Sequence, residues 1–80
     1  MRPELAELLE WLAKRLVDDP EAVRVEVVEE SDVTILQLRV APADIGKVIG
    51  RQGRIARALR TVVRASGART NRRVVLEIVE

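Results

Sequence analysis

Between Ile45 and Ile55 the chain runs Ile-Gly-Lys-Val-Ile-Gly-Arg-Gln-Gly-Arg-Ile, and this stretch holds the residues best suited to chemistry. Gly50 and Gly53 stand three apart, with Arg51 and Gln52 between them. Glycine reaches positive φ without strain and has no Cβ to hold a ligand away from the backbone. A tight turn of this kind, followed by the free N–H groups at the start of a helix, forms a cradle for an anion such as a phosphate chain. Arg51 adds a mobile charge inside the turn and Gln52 an uncharged polar arm, with Lys47, Arg54 and Arg57 nearby.

The formal net charge of +1 hides a strong asymmetry. Residues 1–44 carry five basic and eleven acidic side chains, a balance of −6, whereas residues 45–80 carry nine basic and two acidic, a balance of +7. Such a split points to a polyanionic partner for the second half and a solvated or protein-facing role for the first. The inventory also excludes whole classes of activity. With no Cys and no His, disulfides, thiolate chemistry and imidazole acid–base catalysis are unavailable. Ser31 and Ser66 are the only serines and neither has a lysine near it in the expected order of elements, so a nucleophile–base pair is hard to assemble. No Walker A sequence and no G-x-G-x-x-G occurs. The carboxylates of Glu29, Glu30 and Asp32 lack metal-loop spacing and read as a solvated turn. The expectation is a non-enzyme with no cofactor, no metal and no small-molecule substrate. No apolar run approaches the ~18 residues of a membrane helix, and the first residues are acidic where a secretion signal is basic, so no membrane association and a cytoplasmic location are expected.

These residues need a scaffold to position them. Eighty residues with 48% hydrophobic content suit one small domain with a single core. Leu5, Leu8, Leu9, Leu12 and Leu16 recur at helical spacing and predict a helix from about Pro3 to Val17, stopped by Asp18, Asp19 and Pro20. Val23, Val25 and Val27 alternate through a strand at about Ala22–Glu29, and Leu36, Leu38 and Val40 through another at about Val33–Val40. A short helix, about Ala43–Ile49, leads into the glycine turn. A longer one, about Arg54–Ala65, gathers Ile55, Ala58, Leu59, Val62 and Val63 in one apolar arc opposite Arg54, Arg57, Arg60 and Arg64, with Gly67 as its C-terminal stop. The last strand, about Arg72–Val79, turns Val74, Leu76 and Ile78 inward. A crossover of about 30 residues makes the strands on either side of the helix pair parallel, and a short turn makes the first two antiparallel. The result is an α+β domain of order α-β-β-α-α-β, a three-stranded mixed sheet with three helices on one face. Trp11 is expected to fill the core or an interface.

At this point the chain resembles a family. Val48 to Ile55 form V-I-G-x-x-G-x-x-I, and this motif within α-β-β-α-α-β looks like a KH domain of type II topology. The resemblance covers essentially residues 1–80, with 1–32 as the N-terminal helix–strand extension and 33–80 as the β-α-α-β core. More narrowly, a free-standing domain of this length with Ala-Pro-Ala-Asp-Ile-Gly-Lys-Val-Ile-Gly-Arg-Gln-Gly-Arg-Ile is similar to the small bacterial RNA-binding proteins of the KhpA type. The resemblance implies a groove for about four unpaired nucleotides, with the G-x-x-G loop clamping their backbone. Carried over, it places Gly50, Arg51, Gln52 and Gly53 against phosphates of single-stranded RNA. Gly46, Lys47, Arg54 and Arg57 flank them, and Ile45, Val48, Ile49 and Ile55 divide between groove floor and core. It also implies a post-transcriptional regulator or RNA chaperone, and a dimer, either with itself or with a larger KH protein of the Jag/KhpB type.

Other readings stay open beside it. RRM, cold-shock and OB-type binders stack bases on aromatic side chains, and this chain has only Trp11, in its acidic half. A helix-turn-helix could use the arginine-rich second helix in a DNA major groove, although flanking strands and a basic residue inside the turn argue against it. A third reading is a protein-interaction module in which the fold mainly supports dimerisation.

Overall fold

The computed structural model describes residues 4–69 and 72–79. Helix α1 (Glu4–Leu16) carries Glu4 and Glu7 in its first turn and Lys14 and Arg15 in its last, charges that oppose the helix dipole. The predicted start at Pro3 lies outside the described residues. The helix stops one residue before the expected Val17, whose N–H still donates to the Ala13 carbonyl at 3.2 Å. Pro20 then opens a single 3-10 turn, Pro20–Ala22, because its fixed φ and missing N–H suit a first helical position. That turn delays strand β1 to Arg24–Glu29, two residues later than the alternation alone indicates.

Strand β2 (Val33–Arg39) pairs antiparallel with β1 and parallel with β3 (Arg73–Val79), giving the sheet order β1-β2-β3. Between β2 and β3 lie α2 (Ile45–Ile49) and α3 (Arg54–Arg69). The fold is therefore the α+β arrangement α-β-β-α-α-β of a type II KH domain, with the parallel pair joined by the helical crossover. A 3-10 turn at Pro42–Asp44 replaces the first residues of the expected short helix, again with proline in its first turn.

Period-two alternation decides the sheet's two faces. Val23, Leu36, Leu38 and Leu76 are buried against Ala6, Leu9 and Ala13 of α1, Val48 of α2, and Leu59 and Val63 of α3. The opposite side mixes polar pairs with valines and an isoleucine: the Gln37 Nε2 donates to Glu77 Oε1 at 2.9 Å and the Arg39 Nε to Glu26 Oε1 at 3.1 Å, beside Val28, Ile35 and Val75.

Three expectations about individual residues need correction. Gly67 does not stop α3, which continues to Arg69. A Cβ on Gly67 would lie 2.6 Å from the Arg72 carbonyl oxygen and 2.9 Å from Val74 Cγ2. Glycine is there because the helix end and the start of β3 touch backbone to backbone, with Arg72 N–H donating to Gly67 O at 3.0 Å. Trp11 is not core: it is 53% exposed, with the Arg15 guanidinium 4.7 Å from its ring centroid. With Ala6, Leu9 and Ala13 turned inward, position 11 falls on the opposite side of α1, toward solvent. In α3 the buried stripe is Ala56, Leu59 and Val63, while Ala58 and Val62 of the predicted arc are exposed.

Candidate nucleic-acid interface

The loop between α2 and α3 has a backbone that most residues avoid. Gly50 has φ 77° and ψ 171°, Gln52 φ 57° and ψ 25°, and Gly53 φ 73°. Arg51 is helical and Gln52 left-handed, an αR–αL succession whose consecutive N–H groups converge on one concave side and bind anions. Gly53 N–H is already used, donating to Gly50 O at 3.1 Å. Among the described residues, no backbone oxygen takes up the N–H of Arg51 or of Gln52. Two adjacent donors are therefore without a backbone partner, in the loop that leads into the positive end of α3's dipole.

Gly50 is where the sequence permits this turn. Its N–H closes α2 on the Gly46 carbonyl at 2.9 Å, and a Cβ at this position would lie 2.7 Å from Ile55 Cγ1. The Ile55 side chain at the start of α3 thus lies directly over the glycine. Gly53 differs: a Cβ there would meet nothing within 4 Å, so only its φ calls for glycine.

The side chains expected at the site separate into three groups. Arg51, Gln52 and Arg54 are exposed around the loop, with Lys47 one turn back on α2. Lys47 Nζ lies 3.4 Å from Asp18 Oδ2, but Asp18 is 82% exposed, a weak solvent-screened pair that a phosphate can displace. Val48 is wholly buried in the core and Ile55 packs against that core, whereas Ile45 and Ile49 are half-buried and stand apart from it. Ile45 and Ile49 are thus the apolar surface beside the loop, and Gly46 is exposed between them. Arg57 is exposed, with Nη2 donating to the Gln52 carbonyl at 3.0 Å.

Two features of the site had no clear trace in the sequence. Asp44 resembles a helix N-cap but makes no side-chain cap bond to α2. Its carboxylate, 2% exposed, accepts from Asp19 N–H at 3.0 Å and ties the segment after α1 to the start of α2. The Arg72 Nε donates to Thr34 Oγ1 and its Nη2 to the Glu30 carbonyl at 3.0 Å, fastening the β1–β2 turn to the start of β3. Both contacts span more than 20 residues of sequence, beyond what local pattern reveals. Among the described residues, no group of carboxylates could hold a metal ion, and no helix is long and apolar enough to cross a membrane.

A three-stranded mixed sheet under three helices, with a glycine-framed positive-φ turn between the second and third, defines a KH domain of the type II class. The family model for the KhpA/KhpB KH domain matches residues 6–78, so the chain belongs to that family. It is 54% identical over 74 residues to the RNA-binding protein KhpA of Borreliella burgdorferi, covering 92% of this chain and 90% of that one. It is 53% identical over 76 residues to the RNA-binding protein KhpA of Aquifex aeolicus, covering 95% of this chain and 96% of that one. Among solved structures, Aquifex aeolicus Era bound to GDP and aluminium fluoride shares the fold with a TM-score of 0.65 at 18% identity, over 98% of this chain and 31% of that one. Era in complex with MgGDPNP and a segment of 16S ribosomal RNA gives 0.62 at 18% identity, over 98% of this chain and 33% of Era.

Proposed function

We propose that this chain is a non-enzymatic RNA-binding protein that holds about four nucleotides of single-stranded RNA across the loop Gly50–Gly53. The observation that carries the reading is the αR–αL succession at Arg51 and Gln52, which leaves two adjacent N–H donors facing out between exposed basic side chains. Backbone donors and Arg51, Arg54 and Lys47 hold phosphates, while Ile45 and Ile49 offer an apolar surface to bases. The curated relatives named as RNA-binding proteins support the ligand class. A role in post-transcriptional regulation or RNA chaperoning, in the cytoplasm, follows from that ligand.

The test is replacement of Arg51 and Gln52 together by Asp. Asp tolerates left-handed backbone, so both glycines and the turn persist while two carboxylates occupy the phosphate position. Fluorescence anisotropy with labelled single-stranded RNA should show a loss of at least roughly tenfold, from the charge change at close range, with an unchanged thermal melt. Unchanged RNA affinity in the folded variant would remove the loop from the site. Stronger binding to duplex DNA than to single-stranded RNA would return the helix-turn-helix reading.

Association with a second KH chain, a further copy or a larger KhpB-type protein, is favoured by a separate observation. A groove between α1 and α3 is lined by Leu5, Leu8, Leu12, Leu59 and Val62, and Leu8 and Val62 are 43% and 42% exposed. Pairing two short grooves on one RNA also raises affinity through effective concentration. We take a second copy as the occupant, since Glu4 and Glu7 on α1 and Arg60 and Arg64 on α3 offer it opposite charges. Sedimentation should show a dimer that Leu8→Glu dissociates; a monomer at high concentration would refute it.

A further inference from the structure

We propose that Arg57 is a positioning residue that locks the Gly50–Gly53 loop in its anion-binding shape, and that it is not itself a phosphate contact. The inference rests on the RNA-binding reading of the loop, but its first observable does not. Gln52 is the sole positive-φ residue other than glycine among the described residues, at φ 57°. Side chains with a Cβ enter this region against a steric cost, so something outside the residue must hold it there.

The peptide joining Gln52 to Gly53 is held at both its polar ends. Its N–H donates to Gly50 O at 3.1 Å. Its carbonyl accepts from Arg57 Nη2 at 3.0 Å, reached from one turn into α3. Arg54 Nη2 adds a longer contact of 3.4 Å to Gln52 Oε1, which steadies the side chain rather than the backbone. Fixing this one peptide plane fixes the turn at Gln52, and that turn aims the N–H groups of Arg51 and Gln52 to the same side. Because α3 is a regular helix, the guanidinium reaches back from a rigid base.

The two roles predict different salt behaviour. A residue that neutralises a phosphate contributes about 0.7 to the log–log salt slope for single strands, while one that only shapes the loop changes affinity and leaves the slope alone. The experiment uses the full chain with Arg57→Met, which keeps an unbranched stem and removes all donors, and Arg51→Gln as the direct-contact comparison. Two quantities are read: amide exchange of Gly53 without RNA, and anisotropy of labelled single-stranded RNA across a salt series.

In Arg57→Met, Gly53 exchange should accelerate several-fold, reporting release of the peptide. RNA affinity should fall about fivefold, the worth of one exposed hydrogen bond, with the slope unchanged. Arg51→Gln should instead lower the slope by about 0.7 and leave Gly53 exchange alone. Adding Gln52→Asn, a residue that accepts left-handed backbone unaided, should restore most of the affinity lost in Arg57→Met. A slope lowered by about 0.7 with unchanged Gly53 exchange would overturn the proposal and make Arg57 a phosphate contact. Full affinity and unchanged exchange would overturn it as well. If the unaltered chain binds no RNA, the functional reading fails, and Gly53 exchange alone decides whether the lock exists.

Discussion

Gly50→Ala combines two penalties that can be measured apart. The backbone at φ 77° and ψ 171° belongs almost solely to glycine, and forcing a residue with a Cβ there costs about 1–3 kcal/mol. The new methyl would also stand 2.7 Å from Ile55 Cγ1, 2.9 Å from its Cβ and 3.0 Å from its Cδ1. Ile55 is packed against the core and yields only by disturbing it, an overpacking cost of roughly 1–3 kcal/mol. Together these give about 2–6 kcal/mol, set against a total stability of roughly 4–12 kcal/mol for a domain of this size. The melting temperature should fall by about 10 °C or more. Gly53→Ala provides the internal standard: its φ is 73° but nothing lies within 4 Å of a Cβ, so it should lose only about 1–2 kcal/mol. Ile55→Ala deletes the two closest side-chain atoms beyond Cβ, so the double variant Gly50→Ala/Ile55→Ala should be less destabilised than the sum of the singles by roughly 1–2 kcal/mol. Thermal and urea denaturation followed by circular dichroism measure all four. Equal losses at Gly50 and Gly53, or a Gly50→Ala melt within a few degrees of the unaltered chain, would refute the account of the turn.

Gly67→Ala should cost about 2–4 kcal/mol in urea denaturation, because its Cβ would meet the Arg72 carbonyl oxygen at 2.6 Å and backbone cannot step aside as a side chain can. Gly46→Ala should act in the opposite direction, gaining roughly 0.5–1 kcal/mol, since the residue lies inside α2 with nothing within 4 Å of a Cβ. With Lys47, Arg51 and Arg54 as the contact set, the log–log salt slope of single-stranded RNA binding should be roughly −2, reduced by about 0.7 in Arg54→Ala and unchanged in Glu7→Lys on α1. A steep slope change from Glu7→Lys would put the binding face on the wrong side of the molecule.

Much of the fold was legible because its patterns are local. Valine alternation through β1 and leucine alternation through β2 coincide with burial on one sheet face, and a short turn against a long crossover leaves few topologies to choose from. Gly50 and Gly53 were legible for the same reason, since two glycines framing a turn announce positive φ. Gln52 was not, because its left-handed backbone accompanies a guanidinium five residues on rather than any preference of glutamine. Gly67 misled for a related reason. Glycine near a helix end reads as a stop, but here it answers to Val74 and Arg72, whose approach depends on which strand lies beside α3. Trp11 carries the size of a core residue, yet its place on α1, opposite the buried Ala6, Leu9 and Ala13, leaves the indole outside.

The charge of the second half also looks different once its contacts are known. Arg72 is engaged with Thr34 and the carbonyls of Glu30 and Val33, Arg57 with the carbonyl of Gln52, and Lys47 with Asp18. Neutral carbonyl and hydroxyl partners leave the charges of Arg57 and Arg72 in place and only fix where they sit, so the +7 balance of residues 45–80 stands while fewer of its side chains are free to reach for a ligand. Long-range attraction between such exposed charges and a polyanion is screened within a Debye length of about 8 Å at physiological salt. On the proposed RNA-binding reading of the loop, short, directed hydrogen bonds to its backbone N–H groups add to that attraction, and they demand a fixed loop. That requirement accounts for the two glycines, for the restraint on Gln52, and for an arginine placed on a carbonyl rather than in the groove.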